Sequence, residues 1–390
     1  MIEKDFKITK AGEIPKEWDS MPLSELFDFG NGYTPSKADP AFWTNGTIPW
    51  FRVEDIRING HVLNNAIQKI TPLAVKGELF PKNSFVISTS ATIGEYAYVT
   101  IPYLANQRFV CLIKKPAANQ LVDDCYFLCL CESLGQWCRD NCDQGSSFPS
   151  VNMQSFRNHH IPLPPLGEQK KIAKALSDVD ALINYLDGLI AKKRDIKQGA
   201  MQELLTGKTR LAGFSGSWHN KEVGEIVSIV KGQNLQSKDF IQGPVPVVAG
   251  GKSYAGYHNV CNHDKTCVTI SASGAYAGYV WLHEYPIFAS DCSVIEGNDE
   301  VDIHFLYNLL KMNQEAIYQS QTGGAQPHIH PKDIAPIRIL MPSLLEQKAI
   351  ASILVDMDKE ILALEAKKAK YESIKQGMMQ ELLTGKIRLV

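Results

Sequence analysis

Hydrophobic residues follow two different spacings along this chain. In two segments an apolar residue recurs every three or four positions, the spacing that keeps one helix facing another along its length. Prolines precede both segments and Gly207 and Gly385 follow them, so each pattern predicts a helix of about 40 residues. We expect the two helices to pack against each other antiparallel; packing of each helix on its own globular module is the alternative. The two seams consist of Ile172, Leu176, Val179, Ile183, Leu186 and Ile190, and of Ile350, Leu354, Met357, Ile361 and Leu364.

The remaining segments have the pattern of β structure. Residues 84–99 and 265–282 are rich in β-branched and aromatic residues with Gly and Ser between them, which is typical of strands joined by turns. One short helix is expected in each module, around 122–141 and 301–318. The fold class is therefore α+β, with mostly β modules.

An internal repeat sets the domain organisation. The segments IKQGAMQELLTGKTRL (196–211) and IKQGMMQELLTGKIRL (374–389) match at 14 of 16 positions, at an offset of 178. The same offset places Glu168 on Glu346, whereas near the module starts an offset of 200 places Trp18 on Trp218. We predict a pseudo-twofold tandem repeat of two target modules, each followed by a helical spacer. The predicted segments are 1–161 and 212–339 for the modules, and 162–211 and 340–390 for the spacers.

Composition narrows the functional classes less than the repeat does. The formal net charge is −2, whereas a protein that binds DNA alone is usually basic. Either the chain does not bind nucleic acid, or its basic surface is local and a partner supplies further contacts. No apolar run approaches the roughly 20 residues of a membrane span, and the first residues lack the apolar region of a signal peptide. Nine cysteines without a secretion signal indicate the reducing cytoplasm.

A candidate metal site in the first copy is not repeated in the second. A zinc site is one interpretation of Cys125, Cys129, Cys131, Cys138 and Cys142. Their equivalents are Ile303, Tyr307, Leu309, Ala316 and Ser320. Because those residues are mainly apolar, we interpret the cysteines as small core residues and predict no metal site.

Of three short matches to enzyme motifs, two are incomplete and one lies on a predicted coiled coil. Gly207-Lys208-Thr209 resembles the end of a phosphate-binding loop, but Gln202 occupies the position of its first glycine. Glu365-Ala366-Lys367 has a spacing found in nucleases but lies on the predicted coiled coil. Asp39-Pro40-Ala41-Phe42 lacks the second proline of the motif that amino-methyltransferases use. No catalytic residue is predicted.

Polar loops containing glycine recur in both modules. Glycine lets backbone N–H groups approach a phosphate, and Ser, Asn, Gln, Lys and Arg side chains donate to phosphates or base edges. Ordinary turns between strands are the alternative, but recurrence in both copies favours DNA contact. The candidate residues are Asn31, Tyr33, Lys37, Arg52, Ser88, Ser90, Ser146 and Ser147 in the first module, and Lys231, Gln233, Asn234, Lys252, Ser253, Tyr254, Ser271, Ser273, Gln326 and His328 in the second.

Several motifs together resemble one family. They are the helix starts PLPPLGEQKKIA and LMPSLLEQKAIA, the paired helix ends QxxMQELLTGKxRL, the module-start tryptophans, and the loops SSFPSVN and GAQPHIH. This set resembles the specificity subunits of type I restriction–modification enzymes, over nearly the whole chain.

The resemblance implies that each module reads one half of an interrupted double-stranded DNA target and that the antiparallel helices set the spacing. It also implies two docked methyltransferase subunits that hold S-adenosylmethionine, and restriction subunits that use ATP and Mg²⁺. This chain would hold no cofactor of its own. Two other interpretations remain: a methyltransferase or nuclease in its own right, and a coiled-coil scaffold with no DNA role.

Overall fold

The computed structural model describes residues 5–143, 149–323 and 327–390. Two compact units are present: the chain up to Tyr185 together with Ala369–Val390, and Leu186–Lys368. Each unit therefore contains one module, half of one long helix and half of the other.

The first module consists of short strands around a small number of helices. Its helices are α1 (Leu23–Leu26), α2 (Val53–Asn59), α3 (Asp124–Asp140) and α4 (Met153–Arg157), and α5 (Leu166–Leu204) follows it. Its strands are β1 (Phe6–Thr9), β2 (Gly12–Pro15), β3 (Asp19–Pro22), β4 (Phe27–Asn31), β5 (Ile48–Phe51), β6 (Val62–Leu63), β7 (Lys69–Ile70), β8 (Ser84–Ser88), β9 (Tyr96–Val99), β10 (Leu104–Ala105), β11 (Phe109–Lys114), β12 (Cys142–Asp143), β13 (Ser150–Val151) and β14 (His160–Leu163).

The main sheet of this module has the strand order β4-β11-β8-β9-β6. Strands β4, β11, β8 and β9 are antiparallel to their neighbours, and β6 pairs with β9 in parallel. Helix α3 covers one face, where the Phe127 ring lies 4.4 Å from Phe27 and 4.7 Å from Phe85, measured between centroids. A second small sheet pairs β5 in parallel with β10 and antiparallel with β7.

The second module repeats this topology. Its helices are α6 (Val223–Ile226), α7 (Ile303–Met312), α8 (Gln314–Gln319) and α9 (Pro331–Ile334), followed by α10 (Leu344–Leu382). Its strands are β15 (His219–Glu222), β16 (Ile229–Lys231), β17 (Val245–Val248), β18 (Gly256–His258), β19 (Cys267–Ser271), β20 (Val280–His283), β21 (Phe288–Ala289), β22 (Cys292–Glu296) and β23 (Arg338–Met341).

The order β16-β22-β19-β20 corresponds to β4-β11-β8-β9 in the first module. Strand β17 pairs in parallel with β21 and antiparallel with β18, as β5 pairs with β10 and β7. The predicted α+β class and the tandem repeat are confirmed. The predicted helix around 301–318 is divided at Asn313, which follows α7 and precedes α8 and whose side-chain amide donates to the Leu309 carbonyl over 2.8 Å.

Both long helices have the predicted length, 39 residues each. Gly207 and Gly385 lie just beyond them with φ of 69° and 73°, a backbone conformation that favours glycine and turns the chain away from a helix end.

The helices are antiparallel within each unit. In the first unit Asp180 pairs with Lys375 over 2.7 Å, and Ile172, earlier on α5, shares a core with Leu382, later on α10. In the second, Lys193 pairs with Glu360 over 2.7 Å and Lys197 with Asp358 over 2.6 Å. Residue numbers thus fall along one helix as they rise along the other, which confirms the predicted pairing in both units.

The start of each long helix also packs on its own module. Ile172 and Leu176 of α5 share a core with Phe127 of the first module and with Leu382 at the end of α10. Ile350 and Leu354 of α10 share the equivalent core in the second unit with Leu204 and Leu205. The start of each helix therefore packs both on its own module and on the end of the other helix, so the two interpretations of the seams hold together.

Candidate nucleic-acid interface

The predicted polar loops of the first module meet at one edge of its main sheet. Strand β4 ends there with Asn31, which pairs with Val110 at the start of β11. Strand β8 ends there with Ser88, and beyond it Ser90 forms a bridge with Ser150. Antiparallel pairing requires these strand ends to coincide, so residues far apart in sequence form one surface.

Glycine is required where the first of these loops passes the next strand. A Cβ on Gly32 would lie 2.0 Å from the carbonyl oxygen of Asn106. The Tyr33 backbone N–H continues the contact by donating to the Ala105 carbonyl over 2.8 Å. Asn31 and Lys37, on either side, are exposed.

Other candidates in the first module also hold the loops in place. The Tyr33 hydroxyl donates to the Ala74 carbonyl over 3.0 Å and accepts from the Lys76 N–H over 2.7 Å. The Arg52 guanidinium lies 5.9 Å from the centroid of Trp50, and its Nε is 3.4 Å from a Glu54 carboxylate oxygen.

Ser88 is buried, and its hydroxyl donates to the Ser90 carbonyl over 3.3 Å. Of these candidates, Asn31 and Lys37 are exposed and Arg52 and Ser90 are half-buried. Ser146 and Ser147, which belong to the same predicted surface, lie outside the described residues.

The loops of the second module converge in the same way. A Cβ on Gly232 would lie 2.3 Å from the Ser290 carbonyl oxygen, which repeats the close approach at Gly32. Ser273 forms a bridge with His328, as Ser90 does with Ser150, and the Ile329 N–H donates to the Ala272 carbonyl over 3.0 Å. Lys231, Gln233 and Asn234 are exposed on this edge, whereas Gln326 lies outside the described residues.

Aromatic side chains distinguish the second module. Tyr254 stacks on Trp281 with centroids 4.8 Å apart and an interplanar angle of 16°. Burial, and then a hydrogen bond with the Tyr285 hydroxyl, raise the pKa of Tyr254 above its usual range. Lys252 and Ser253 are exposed beside it. Ser271 is buried, and the Ser273 hydroxyl donates to the Asp291 carboxylate.

Sequence reasoning missed the tight turns that complete each edge. Asn106, Gln107 and Arg108 lie between β10 and β11, and Arg108 is exposed. The equivalent turn between β21 and β22 contains Asp291. A strand pair interrupted by only a few polar residues was the available signal, but β10 and β21 are two residues long and give no periodic pattern.

The most strongly repeated motif residues form a buried joint in each unit. In the second unit the Arg210 guanidinium donates to both carboxylate oxygens of Glu346, over 2.6 and 2.7 Å. The Trp218 indole N–H donates to the same carboxylate over 3.2 Å, and the guanidinium lies 5.5 Å from the Trp218 ring centroid. The hydrogen bond with Glu346 raises the pKa of Arg210.

The first unit contains the same joint. Arg388 donates to Glu168 over 2.6 and 2.7 Å, and the Trp18 indole N–H donates to Glu168 over 3.1 Å. Since these residues bind one another, the repeated motifs form the frame and not the candidate interface.

The glutamine that follows each of these glutamates repeats a second joint. The Gln169 amide accepts from the Asp123 N–H over 2.8 Å and donates to the carbonyls of Leu121 and Pro164. Gln347 makes the same three contacts, with Asp302, Glu300 and Pro342. Both are buried, so each helix start is fixed to its own module by a fully bonded amide.

The other motifs have structural settings of their own. Cys131 and Cys138 are buried in the core of the first module, and burial raises the pKa of the Cys138 thiol to about 12. No group of three or more His, Cys, Asp or Glu side chains suited to a metal ion occurs among the described residues. Glu365 accepts a hydrogen bond from Arg194 on the neighbouring helix. None of the described helices has the length and apolar character of a membrane span.

Comparison with known proteins gives a consistent result. The family model described as the type I restriction modification DNA specificity domain matches twice, over residues 15–192 and 216–376. The EcoprrI type I restriction enzyme specificity subunit of Escherichia coli is 35% identical over 363 residues, covering 88% of each chain. The MjaIX type I specificity subunit of Methanocaldococcus jannaschii is 23% identical, covering 99% of this chain and 97% of that one.

Solved structures support the fold. A type I restriction–modification S subunit from M. genitalium superposes with a TM-score of 0.64 at 18% identity, over 94% of this chain and 96% of that one. A chain from a structure describing complex assembly and conformational transition of the type I system superposes with a TM-score of 0.59 at 15% identity, over 96% and 99%.

Proposed function

This chain belongs to the family of type I restriction–modification DNA specificity subunits, and on that premise we propose which of its surfaces reads DNA and which bind the partner subunits. The chain is a DNA-recognition component and not a catalytic one. Its two tandem modules correspond to a divided target, with one half read by each module.

The observation that carries the proposal is the matched loop edge. In each module the ends of the first and third strands of the sheet and the start of the second form one polar surface, closed by a bridge to the segment before the long helix. We propose that this edge contacts the DNA. Asn31, Lys37, Lys231, Gln233 and Asn234 are exposed there, where side chains reach phosphates or base edges without any change in the strands.

The proposed division of the chain is 1–161 and 212–339 for the recognition modules and 162–211 and 340–390 for the helical spacers. We propose that the paired spacers set the distance between half-sites and bind two methyltransferase subunits, with restriction subunits joining them. S-adenosylmethionine would then be held by the methyltransferase subunits, and ATP and Mg²⁺ by the restriction subunits, in the cytoplasm. A net charge of −2 is compatible with this assembly because the partners contribute phosphate contacts.

The test removes one charge at a time from each loop edge. Lys37→Ala and Arg52→Ala are expected to weaken DNA binding through the first module, and Lys231→Ala and Lys252→Ala through the second. A variant that removes one phosphate interaction should lower the slope of log affinity against log salt by about one.

The chain offers a matched control in each module. Lys82 and Lys265 are exposed and stand two residues before β8 and β19, at the strand ends opposite the loop edge. Lys82→Ala and Lys265→Ala remove the same charge and are expected to leave the salt slope unchanged. If all four loop variants behave like these controls, the DNA surface lies elsewhere on the modules.

A further inference from the structure

Two lysines of the second module share one aromatic ring beside the loop edge. The Nζ of Lys311, in the last turn of α7, lies 4.4 Å from the ring centroid of Tyr279. The Nζ of Lys252, in the loop after β17, lies 5.4 Å from the same centroid and 4.6 Å from that of Tyr276. Tyr276 closes the turn that begins at Ser273, so the cluster adjoins the proposed DNA surface.

Neither ammonium group has a carboxylate partner within the salt-bridge distance of 4.0 Å among the described residues. Lys311 is half-buried, and burial followed by the charges of Lys252 and Lys197 lowers its pKa. A lysine in the last turn of a helix stabilises that helix through its free carbonyls, which accounts for Lys311 alone. It does not account for Lys252, which is brought to the same ring from a separate loop.

The first module has opposite chemistry at the matching place. The Ser271 N–H donates to the Tyr279 carbonyl in the turn between β19 and β20, as the Ser88 N–H donates to the Glu95 carbonyl between β8 and β9. Tyr279 therefore corresponds to Glu95, whose carboxylate lies 3.5 Å from Arg57. The position of Lys311 is occupied by Ser133, at the repeat offset of 178. The lysine pair is thus a property of the second module alone.

We propose that Lys252 and Lys311 together bind one backbone phosphate of the DNA beside the second half-site, with Tyr276 and Tyr279 holding the two ammonium groups in place. An ammonium group over an aromatic face is attracted to the ring and so is held in position. Two such groups without a carboxylate partner in the described part of the chain provide the charge that a phosphodiester requires. This proposal rests on the proposed function, since it assigns a contact to a DNA-reading surface.

The experiment measures the affinity of the full chain, with its methyltransferase subunit, for a duplex carrying its target at 50 and 200 mM salt. Each phosphate contact contributes about 3.5-fold to the loss of affinity between these salt concentrations. Because the two lysines bind one phosphate, the Lys252→Ala/Lys311→Met variant should lose about 3.5-fold less affinity than the natural chain over this range. Lys265→Ala is the control in the same module. Lys311→Met alone should reduce the salt dependence of binding, whereas Lys311→Arg should keep the natural salt dependence because it keeps the charge.

A second arm locates the phosphate. Phosphates around the second half-site are replaced one at a time by uncharged methylphosphonates. One position is expected to weaken binding of the natural chain and to have no further effect on the double variant. If every position weakens both proteins equally, or if the double variant keeps the natural salt slope, the proposal is overturned. Failure of the natural chain to bind the target duplex at all would instead overturn the proposed function.

Discussion

The Arg210–Glu346 joint allows a quantitative test of the frame. The Glu346 side chain is 2% exposed, and Arg210 satisfies both of its oxygens. Arg210→Ala would leave this buried carboxylate with the Trp218 indole N–H as its remaining side-chain donor among the described residues. Removing one partner of a buried ion pair costs about 3–5 kcal/mol, because the other charge stays desolvated. Because the Arg210 side chain is itself 27% exposed, water can replace part of what it donates, so we expect the second unit to lose about 3 kcal/mol of unfolding free energy, the lower end of this range.

Calorimetry of the full chain measures the effect. For a unit of this size 1 kcal/mol corresponds to about 2–4 °C, so the expected fall in Tm of the second unit is about 6–12 °C. Arg194→Ala is the matched control, since Arg194 and Glu365 form an ion pair on the same helices with side chains 63% and 35% exposed. Exposed pairs contribute about 1 kcal/mol or less, so the control should change Tm by no more than about 4 °C.

A double-mutant cycle separates the charge from the packing. Glu346→Gln removes the buried charge, and in that background Arg210→Ala should cost much less than it does in the natural chain. If Arg210→Ala alone lowers Tm no more than Arg194→Ala, or if its cost is the same in both backgrounds, the reasoning from burial is refuted.

Three further predictions test separate parts of the chain. Gln347→Ala removes three buried hydrogen bonds and should lower the free energy of unfolding by about 1–3 kcal/mol. The control, Gln198→Ala at an exposed position, should lower it by less than about 0.5 kcal/mol. Equal losses in urea unfolding would contradict the structural role of Gln347. Burial lowers the pKa of His283 to about 4, so the unfolded chain takes up a proton near pH 6.5 that the folded chain does not. Stability should fall by up to about 3 kcal/mol as pH drops from 6.5 to 4, and His283→Phe should lessen that fall in acid-unfolding curves. Four residues inserted into α5 after Tyr185 and four into α10 after Lys368 add one helical turn to each spacer, roughly 6 Å, and should lengthen the unread part of the target by about two base pairs at 3.4 Å each. Methylation mapping that shows altered half-sites would contradict this.

The frame was predictable because its signals are local and occur twice. The spacing of Ile172 and Leu176, repeated by Ile350 and Leu354, determines both the helices and the face that each helix buries. Gly207 and Gly385 mark their ends for a reason that acts within a few residues. Comparison of the two copies also identifies accidental matches, as the cysteines of the candidate zinc site illustrate.

The candidate interface was predictable only as a set of loops. Which loop residues are exposed depends on pairing between distant strands, which no local pattern encodes. Serine is a residue type that commonly contacts DNA, but Ser88 and Ser271 are both buried and stabilise their turns. Lys311 gave no signal because its helix has an ordinary amphipathic pattern, and only the return of the chain from β19 to β20 places Tyr279 beside it.

The position of the joints explains how the modules diverged while the frame stayed constant. Strand β11 begins at the loop edge with Phe109 and ends at Lys114, from which the chain leads to Asp123 and its bond with Gln169. Strand β22 likewise begins at the loop edge and leads to Asp302, which bonds Gln347. The proposed recognition loops and the joints therefore lie at opposite ends of the same strands, separated by a continuous hydrogen-bonded sheet. We expect that substitutions in these loops leave the Trp–Glu–Arg and glutamine contacts intact, and that a new half-site requires no compensating change in the helices.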